Sequence, residues 1–223
     1  MIEIQEVSKH YKLGQKLIKA VDKVNVRINP KDFILITGRS GSGKTTLLSL
    51  IAGLMKPTHG KISIDGDDIW SMSEIERSNI RNQKIGFIFQ FPSLISTLNV
   101  VDNVALPTMF NKREWKPIDL NGEIMELLKL VGLSENIRSY PSQLSGGEQK
   151  RTAIARSLIN NPQIILADEP TGDLDLETEK EVMNLIKEMN KRGKTVILVS
   201  HSPELAEYSS RHFTMDRGAL KEQ

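Results

Sequence analysis

The chain has 223 residues, of which 39% are hydrophobic and 26% are charged, and this composition is typical of a folded globular protein. Lysine and arginine number 30 against 28 aspartates and glutamates, so the formal net charge of +2 indicates no overall attraction to a polyanion such as nucleic acid. Aromatic residues make up 5% of the chain, too few to predict a surface on which bases stack. The absence of cysteine excludes disulfides, thiol nucleophiles and cysteine-ligated zinc.

Membrane-spanning segments are not predicted. The longest apolar stretch, residues 47–55, has about half of the ~20 residues that a spanning helix requires. The first six residues are acidic and alternating, unlike a signal peptide. We therefore expect any role at a membrane to depend on a partner protein.

The first part of the chain predicts β-strands separated by turns. Apolar residues alternate with polar ones at positions 2, 4 and 7 and again at 24, 26 and 28, as expected for strands with one buried face. The apolar run Phe33–Thr37 is typical of a strand buried on both faces. A Gly/Ser-rich stretch then leads into helix-forming residues 44–55, and further strands are predicted at 61–64 and 85–89.

A helical pattern follows in the middle of the chain, from about residue 100 to residue 161. Four apolar residues of one predicted helix fall at i, i+3, i+4 and i+7, namely Ile124, Leu127, Leu128 and Val131. Buried strands at 164–167 and 195–199 then flank an amphipathic helix that contains Val182 and Ile186. The whole pattern predicts an α/β core interrupted by a helical insertion.

Residues 38–45, with the sequence GRSGSGKT, match the phosphate-binding loop pattern G-x-x-x-x-G-K-[ST]. Glycines in such a loop let consecutive backbone N–H groups converge on phosphate oxygens, and the helix that follows presents its positive end. Lys44 would place a positive charge between the β- and γ-phosphates, and the Thr45 hydroxyl suits a Mg²⁺ ion. The alternative is a Gly/Ser loop with a chance lysine, but the position between a buried strand and a helix favours nucleotide binding.

A second motif ends the predicted strand at 164–167, where Asp168 and Glu169 follow four apolar residues. Side chains alternate along a strand, so the two carboxylates cannot have the same role. Asp168 suits the coordination of Mg²⁺, and Glu169 suits the polarisation of an attacking water. Acidic junctions between strand and loop are common, so this interpretation depends on the phosphate-binding loop being present as well.

A third motif, LSGGEQ at residues 144–149, predicts the start of a helix. Ser145 stands at the N-cap position and Glu148 follows three residues later, which is the spacing of a capping box. The residues alone leave two interpretations open. The motif is either a capped helix or a second anion site, built from the serine hydroxyl and the glycine amides at a helix N-terminus.

The three motifs together, GRSGSGKTT, then LSGGEQ preceded by YPSQ, then ILADEPTG, resemble the ATP-binding cassette (ABC) family in sequence and in order. The resemblance covers nearly the whole chain. It implies an α/β P-loop NTPase (RecA-like) core with an N-terminal antiparallel β subdomain and an inserted α-helical subdomain. The core would comprise residues 1–90 and 162–223, and the helical subdomain about 91–161. The implied activity is hydrolysis of ATP to ADP and phosphate with Mg²⁺.

The resemblance also assigns roles to single residues. Gln90 matches the glutamine that ligates Mg²⁺ and forms a hinge to the helical subdomain, and His201 matches the histidine that holds the γ-phosphate and orients Glu169. Asp175 matches an aspartate at the dimer interface, and Tyr11 matches the aromatic residue that stacks on adenine.

The implied residue sets are as follows. The catalytic residues are Lys44, Gln90, Glu169 and His201, and the metal ligands are Thr45, Gln90 and Asp168. The ATP-binding residues are Tyr11, Gly38, Arg39, Ser40, Gly41, Ser42, Gly43, Lys44, Thr45, Thr46, Ser145, Gly146, Gly147, Glu148 and Asp175.

Three positions depart from the usual family pattern. Ser202 stands where aspartate is frequent, Asp173 where asparagine or alanine is common, and Leu176 where serine is usual. These departures leave the catalytic set intact, but they affect the expected detail of the interface around Asp175.

The resemblance further implies partners. Two copies would sandwich two ATP molecules head to tail, with Ser145 and Gly147 of one copy on the γ-phosphate bound by the other, and a separate transmembrane permease would hold the dimer at the cytoplasmic side of the membrane. The segment between Thr45 and Leu144 shows no sustained heptads, so the coiled-coil ATPases that act on DNA are excluded and no nucleic-acid partner is expected.

The wording of EPTGDLD and FQFPSLISTLNVVDNVALP resembles the branch that serves lipoprotein release, macrolide export and antimicrobial-peptide export. A low-turnover regulatory or scaffolding cassette of a cell-division complex is the alternative. Within the second phrase, Phe91, Leu94 and Ile95 either form a groove for a coupling helix of the permease or belong to the core of the helical subdomain.

Overall fold

The structure, a computed structural model, describes residues 1–110, 116–172 and 174–223. A four-stranded antiparallel sheet is formed largely by the N-terminal residues, with the order β2-β1-β4-β5. Its strands are β1 (Ile2–Leu13), β2 (Lys16–Ile28), β4 (His59–Ile64) and β5 (Asp67–Asp68). The antiparallel β subdomain is thus present.

A bulge explains the uneven apolar spacing in β1. Ile4 and Val7 are three residues apart, yet both are buried. The pairing of β1 with β2 shifts register between these two residues, and its pairing with β4 shifts between Gln5 and Ser8. Glu6 adopts a φ of +49° at this point. The extra residue turns Val7 back to the buried face, as a β-bulge does.

The second sheet has six strands in the order β10-β9-β3-β8-β7-β6, and all neighbours except β10 and β9 run parallel. Its strands are β3 (Phe33–Thr37), β6 (Ile85–Ile88), β7 (Ile164–Asp168), β8 (Thr195–Ser200), β9 (Arg211–Asp216) and β10 (Ala219–Glu222). The last two strands were not predicted from the sequence.

Six α-helices are described, together with 3₁₀ helices at Leu106–Phe110, Pro141–Gln143 and Pro203–Tyr208. The α-helices are α1 (Lys44–Ile51), α2 (Glu74–Lys84), α3 (Val100–Ala105), α4 (Pro117–Leu130), α5 (Gly146–Leu158) and α6 (Leu176–Lys191). Within these described ranges, none has both the length and the apolar character needed to cross a bilayer.

Two helix assignments differ from expectation. Helix α1 ends at Ile51, before the predicted end at residue 55, because Gly53 takes a φ of +66° in the turn that follows. Helix α2 was not predicted, although Ser73 and Glu76 form a capping box at its start. No residue of α2 is buried, so it lacks the apolar periodicity on which the prediction relied.

Alternating side chains divide the central strands between two cores. In β3, Phe33 and Leu35 belong to a cluster with α3 to α6, whereas Ile34 and Ile36 belong to a cluster with α1 and the antiparallel sheet. Strands β7 and β8 divide in the same way. The parallel sheet is therefore covered on both faces, which explains why its strands read as continuous apolar runs.

Candidate functional site

Four parallel strands end at one edge of the six-stranded sheet. The registers Thr37–Ser200 and Asp168–Val199 align the ends of β3, β8 and β7, and β6 lies beside β7. The residues that follow these strands were predicted to bind nucleotide, and they line one cavity of about 390 Å³. Ligands of open α/β sheets bind at the carboxyl ends of the strands in the same way.

The phosphate-binding loop connects β3 to α1 in a conformation that depends on glycine. Gly43 has a φ of +112°, and a Cβ at this position would lie 1.9 Å from the carbonyl oxygen of Ala20. Gly43 is also the N-cap of α1, and no side chain in the described part of the chain caps the helix. The first N–H groups of α1 therefore remain available to an anion.

Lys44 lies at the base of this loop and is buried. Its ammonium donates to the carbonyl oxygen of Gly38 at 2.7 Å and lies 3.6 Å from Oε1 of Glu169. The buried hydroxyl of Ser42 has no hydrogen-bond partner in the described part of the chain. A buried cation and an unpartnered hydroxyl in a loop of this shape fit the phosphate groups of a nucleotide.

Asp168 and Thr45 are in direct contact. The Thr45 hydroxyl donates to Oδ1 of Asp168 at 3.0 Å, so the end of β7 meets the start of α1. Burial raises the pKa of the Asp168 carboxyl, and the charge of Glu169 adds to the effect, whereas the Thr45 hydrogen bond and the charges of Lys44 and Lys150 oppose it. A hydroxyl beside a buried carboxylate is a donor set that suits Mg²⁺, which takes its remaining ligands from phosphates and water.

Glu169 has different contacts from Asp168, but it lies just beyond the end of β7, so the alternation of a strand does not set its direction. It adopts a φ of +44°, a conformation that costs a non-glycine residue about 1–3 kcal/mol and recurs at functional sites. Its Oε2 lies 3.0 Å from Nδ1 of His201 and accepts the His201 backbone N–H at 3.2 Å. The carboxylate thus lies between Lys44 and His201 at the mouth of the cavity.

Gln90 follows β6 and lines the same cavity as Lys44, Glu169 and His201. Two further residues of this site were not predicted from the sequence. Ala20 of β2 lines the cavity, and nothing in its local pattern indicated this. Lys150, which is only 4% exposed, donates to the carbonyl oxygen of Gln90 from α5.

The signature motif begins α5 as a complete capping box. The Ser145 hydroxyl accepts the N–H of Glu148, and the Glu148 carboxylate accepts the Ser145 N–H at 2.7 Å. The Glu148 carboxylate accepts hydrogen bonds from both the backbone N–H and the hydroxyl of Ser145, and these lower its pKa. None of the signature residues lines the cavity, so within one chain they form a separate surface.

Asp175 lies close to this separate surface. It caps α6 by accepting the N–H groups of Glu177 and Thr178, and these contacts with Thr178 lower its pKa. The Thr178 methyl group lies so close to Gly147 that a Cβ there would approach it to 2.7 Å. The signature glycines and Asp175 are therefore neighbours, whereas Asp173 lies outside the described residues.

Of the remaining predicted residues, some line the cavity and others lie outside its lining. Ser40, Gly41 and Thr46 line the cavity, whereas Gly38 and Arg39 precede its lining in the loop. Tyr11 of β1 lies outside the lining, is partly exposed and donates its hydroxyl to Sδ of Met55 at 2.8 Å. Its role in stacking on adenine stays a prediction.

Comparison with known proteins identifies the family. The profile of the ABC transporter family matches residues 21–172. An uncharacterized ABC transporter ATP-binding protein of Methanocaldococcus jannaschii is 43% identical over 222 residues, which is 100% of this chain and 98% of that protein. The chain belongs to the ABC transporter family. The family resemblance seen in the motifs is thus confirmed.

Other relatives agree with this assignment. The macrolide export ATP-binding/permease protein MacB of Chlorobaculum tepidum is 40% identical over 220 residues, which is 99% of this chain and 33% of that protein. The chain thus spans about a third of the length of such MacB relatives.

A solved structure gives the clearest comparison of the fold. The dimeric ATP-binding cassette MJ0796, in a post-hydrolysis state bound to ADP and Pi, matches with a TM-score of 0.92 at 39% identity, covering 100% of this chain and 98% of that one. The predicted fold class, a P-loop NTPase cassette with an antiparallel β subdomain, is confirmed. This cassette binds ATP and is an ATPase of the ABC transporter class.

The buried carboxylate of Asp168 predicts a conflict between stability and function in the cassette. At pH values above the raised pKa, the ionised Asp168 carboxylate lowers the free energy of unfolding of the nucleotide-free protein. This destabilisation decreases as the pH falls through the raised pKa, and it is absent below the ordinary pKa that the group has in the unfolded chain. We expect Asp168→Asn to raise the unfolding temperature at pH 7. A gain of about 1 kcal/mol in the free energy of unfolding corresponds to a rise of roughly 2–4 °C. The gain should shrink as the pH falls, while hydrolysis is lost.

Thermal unfolding of the nucleotide-free protein between pH 4 and pH 8 measures this effect. Asp67→Asn, which changes an exposed carboxylate in β5, is the matched control and should leave the unfolding temperature nearly unchanged. A lower unfolding temperature for Asp168→Asn at pH 7 would contradict the prediction.

Proposed function

We propose that this cassette hydrolyses Mg²⁺·ATP in a head-to-tail homodimer and thereby drives a separate membrane permease. The observation that supports the proposal best is the convergence of four strand ends on one cavity, which brings Lys44, Gln90, Glu169 and His201 together. These residues come from distant parts of the chain, and Lys44 and Glu169 belong to two of the three motifs. Their roles are proposed below from their contacts.

Lys44 and the loop before α1 would hold the phosphates. In the nucleotide-free protein the Lys44 ammonium is held by the Gly38 carbonyl and the Glu169 carboxylate. A γ-phosphate offers a stronger charge-assisted hydrogen bond than a carbonyl does, so the ammonium would turn to the nucleotide. The N–H groups at the start of α1 would bind the β-phosphate.

Thr45, Asp168 and Gln90 would hold Mg²⁺ together with phosphate oxygens. The Thr45–Asp168 contact already brings two of the three groups together. No cluster of three His, Asp or Glu side chains suited to a metal occurs in the described ranges, which agrees with an ion that takes most of its ligands from the nucleotide and water. When bound, the ion would neutralise charge that develops on the phosphates.

Glu169 and His201 would act on the attacking water. The Glu169 carboxylate is buried on one side and held by the His201 ring and backbone, so its orientation is defined before a nucleotide binds. A carboxylate in this position can orient a water and accept its proton. His201, whose side chain is mostly exposed, would contact the γ-phosphate.

A second copy would complete the site. Ser145 and Gly147 present a helix N-terminus on a surface away from the cavity, so one chain alone does not bring them to its own nucleotide. Head-to-tail pairing would place this anion-binding end over the partner's cavity. Leu176, next to Asp175, is 77% exposed and would be covered in such a dimer.

A permease segment is the partner we propose for the surface beside Gln90. Phe91 is 67% exposed and Ile95 is also exposed, so the assignment of these two side chains to the core is wrong, whereas Leu94 is partly buried. A cavity of about 420 Å³ nearby is lined by polar and apolar residues, which include Phe89 and Phe110. An exposed apolar surface of this kind is typical of a protein interface.

The division of the chain and its location follow from this arrangement. Residues 1–90 and 162–223 would form the core, and residues 91–161 the helical subdomain that contacts the permease. The dimer would then lie at the cytoplasmic side of the cell membrane. By analogy with the MacB relatives, the transported substrates would include macrolides. The resemblance of the two sequence phrases to the export branch would extend this class to other amphipathic substrates, such as lipoproteins or peptides.

Reconstitution tests this proposal. The wild-type chain should hydrolyse ATP with Mg²⁺ and not with EDTA, and proteoliposomes containing the membrane protein encoded beside it should stimulate hydrolysis several-fold. DNA is the control polyanion and should have no effect. Stimulation by DNA would contradict the proposal, and low turnover unchanged by the membrane protein would favour the regulatory or scaffolding alternative.

A further inference from the structure

Residues 90–99, which we call the Gln90 segment, are held by side chains of the helical region. The pairing of β6 with β7 ends at Ile88 and Ala167, so the segment begins just beyond the last pair of the sheet. Its backbone shows a second feature, because side chains of α3 and α5 supply its hydrogen-bond partners: Lys150 and Asn103, which are buried, and Arg156, which is partly buried.

Lys150 and Arg156 of α5 hold the first part of the segment. The buried Lys150 ammonium donates to the carbonyl oxygen of Gln90. The Arg156 guanidinium donates to the carbonyls of Pro92 at 2.6 Å and Ser93 at 2.9 Å. Two cations of one helix thus bind three carbonyls within four residues.

The segment needs this support at Ser93. Ser93 adopts a φ of +46°, a conformation that is unfavourable for a residue with a Cβ and persists only where the surroundings impose it. The Arg156 fork spans the carbonyl of Ser93 and that of the residue before it. A lysine at this position could not offer the same planar pair of donors.

Asn103 of α3 holds the second part. Its side chain is fully buried, accepts the N–H of Ile95 at 2.8 Å and donates to the carbonyls of Ile95, Leu98 and Asn99. The Gln90 segment is therefore attached along its length to α3 and α5. Helix α5 also carries Ser145 at its N-cap, so the same rigid element joins the signature motif to Gln90.

We propose that Lys150 and Arg156 are positioning residues that clamp the backbone of the Gln90 segment to α5 and thereby hold Gln90 in place at the cavity. The inference rests on the proposed function in one respect, because it takes Gln90 to be a ligand of Mg²⁺. The clamp acts through the backbone of the segment, and neither cation contacts the reacting atoms.

Hydrogen–deuterium exchange on the nucleotide-free protein tests the clamp without any turnover. We expect Lys150→Met and Arg156→Met to speed amide exchange in residues 90–99 by about tenfold, as the loss of a hydrogen bond to a charged group predicts. Exchange in residues 38–46 should stay unchanged. Lys194→Met is the matched control, because Lys194 is also partly buried and donates to a neutral oxygen, that of Asn161.

The second readout is the affinity for Mg²⁺. Titration of Mg²⁺ into the ADP-bound protein should show about a tenfold weaker affinity in the two clamp variants, the loss typical of residues that support a metal ligand. Affinity for ADP in EDTA should match that of the wild type. A merely structural role would lower the unfolding temperature without this difference between the two affinities.

Specific outcomes would overturn the proposal. Exchange in residues 90–99 that is unchanged in both variants, or equally fast in Lys194→Met, would show that there is no clamp. If Lys150→Met does not fold, Arg156→Lys is the second variant, and unchanged exchange at residues 93–95 in it overturns the proposal as well. If exchange is faster in the two clamp variants but the wild-type protein shows no ATPase activity, the proposed function is refuted and the clamp is not.

Discussion

Glu169→Gln is expected to slow ATP hydrolysis by about 10²–10⁴-fold, the usual contribution of a general base, while ATP binding is retained. The substitution keeps the size of the side chain and removes its charge. Lys44, which lies 3.6 Å from the Glu169 carboxylate, would lose that partner and become more available to the γ-phosphate. Binding should therefore be as tight as in the wild type or tighter.

The same variant should accumulate a dimer with ATP. If two copies share each γ-phosphate, an uncleaved nucleotide holds them together, and size-exclusion chromatography should show the dimer with Mg²⁺·ATP and not with Mg²⁺·ADP. Glu188→Gln is the control, because Glu188 pairs with Arg192 on the surface of α6 and has no contact with the site. Hydrolysis by Glu169→Gln at the wild-type rate would remove Glu169 from the catalytic role.

Lys44→Ala is expected to weaken nucleotide binding by about 10–100-fold, because hydrogen bonds to charged groups contribute roughly 1.5–3 kcal/mol each. The loss should be larger for ATP than for ADP, since the ammonium is proposed to lie between the β- and γ-phosphates. The loop itself should persist, because its conformation depends on Gly43 and its close approach to Ala20.

Calorimetric titration of ATP and ADP measures this effect. Lys61→Ala removes an exposed lysine of β4 and serves as the control for the loss of one positive charge. Affinities equal to those of the wild type for both nucleotides would argue against the proposed phosphate contact.

The sequence predicted those elements whose residues follow a regular local pattern, such as a continuous apolar run or a fixed spacing. The strand at Phe33–Thr37 is apolar at every position because both faces of the sheet are covered. The capping box of Ser145 and Glu148 depends on a three-residue spacing that is visible in the sequence.

Other parts had a weak local signal. Helix α2 buries no residue, and β10 is a short, largely exposed edge strand, so neither has the apolar periodicity of a core element. The spacing of Ile4 and Val7 fits simple alternation only after the bulge at Glu6 is known. These are features in which backbone geometry departs from the regular periods.

The sequence alone was sufficient to identify the motifs, the alternation of β and α elements and the family, because each is recognised from contiguous residues. Folding was needed to bring Lys44 within 3.6 Å of Glu169, since the two are separated by the helical insertion and meet only where parallel strands end at one edge. It was also needed for Lys150, Arg156 and Asn103. Their hydrogen bonds join α3 and α5 to the Gln90 segment, and no local pattern distinguishes these polar side chains from others on a helix surface.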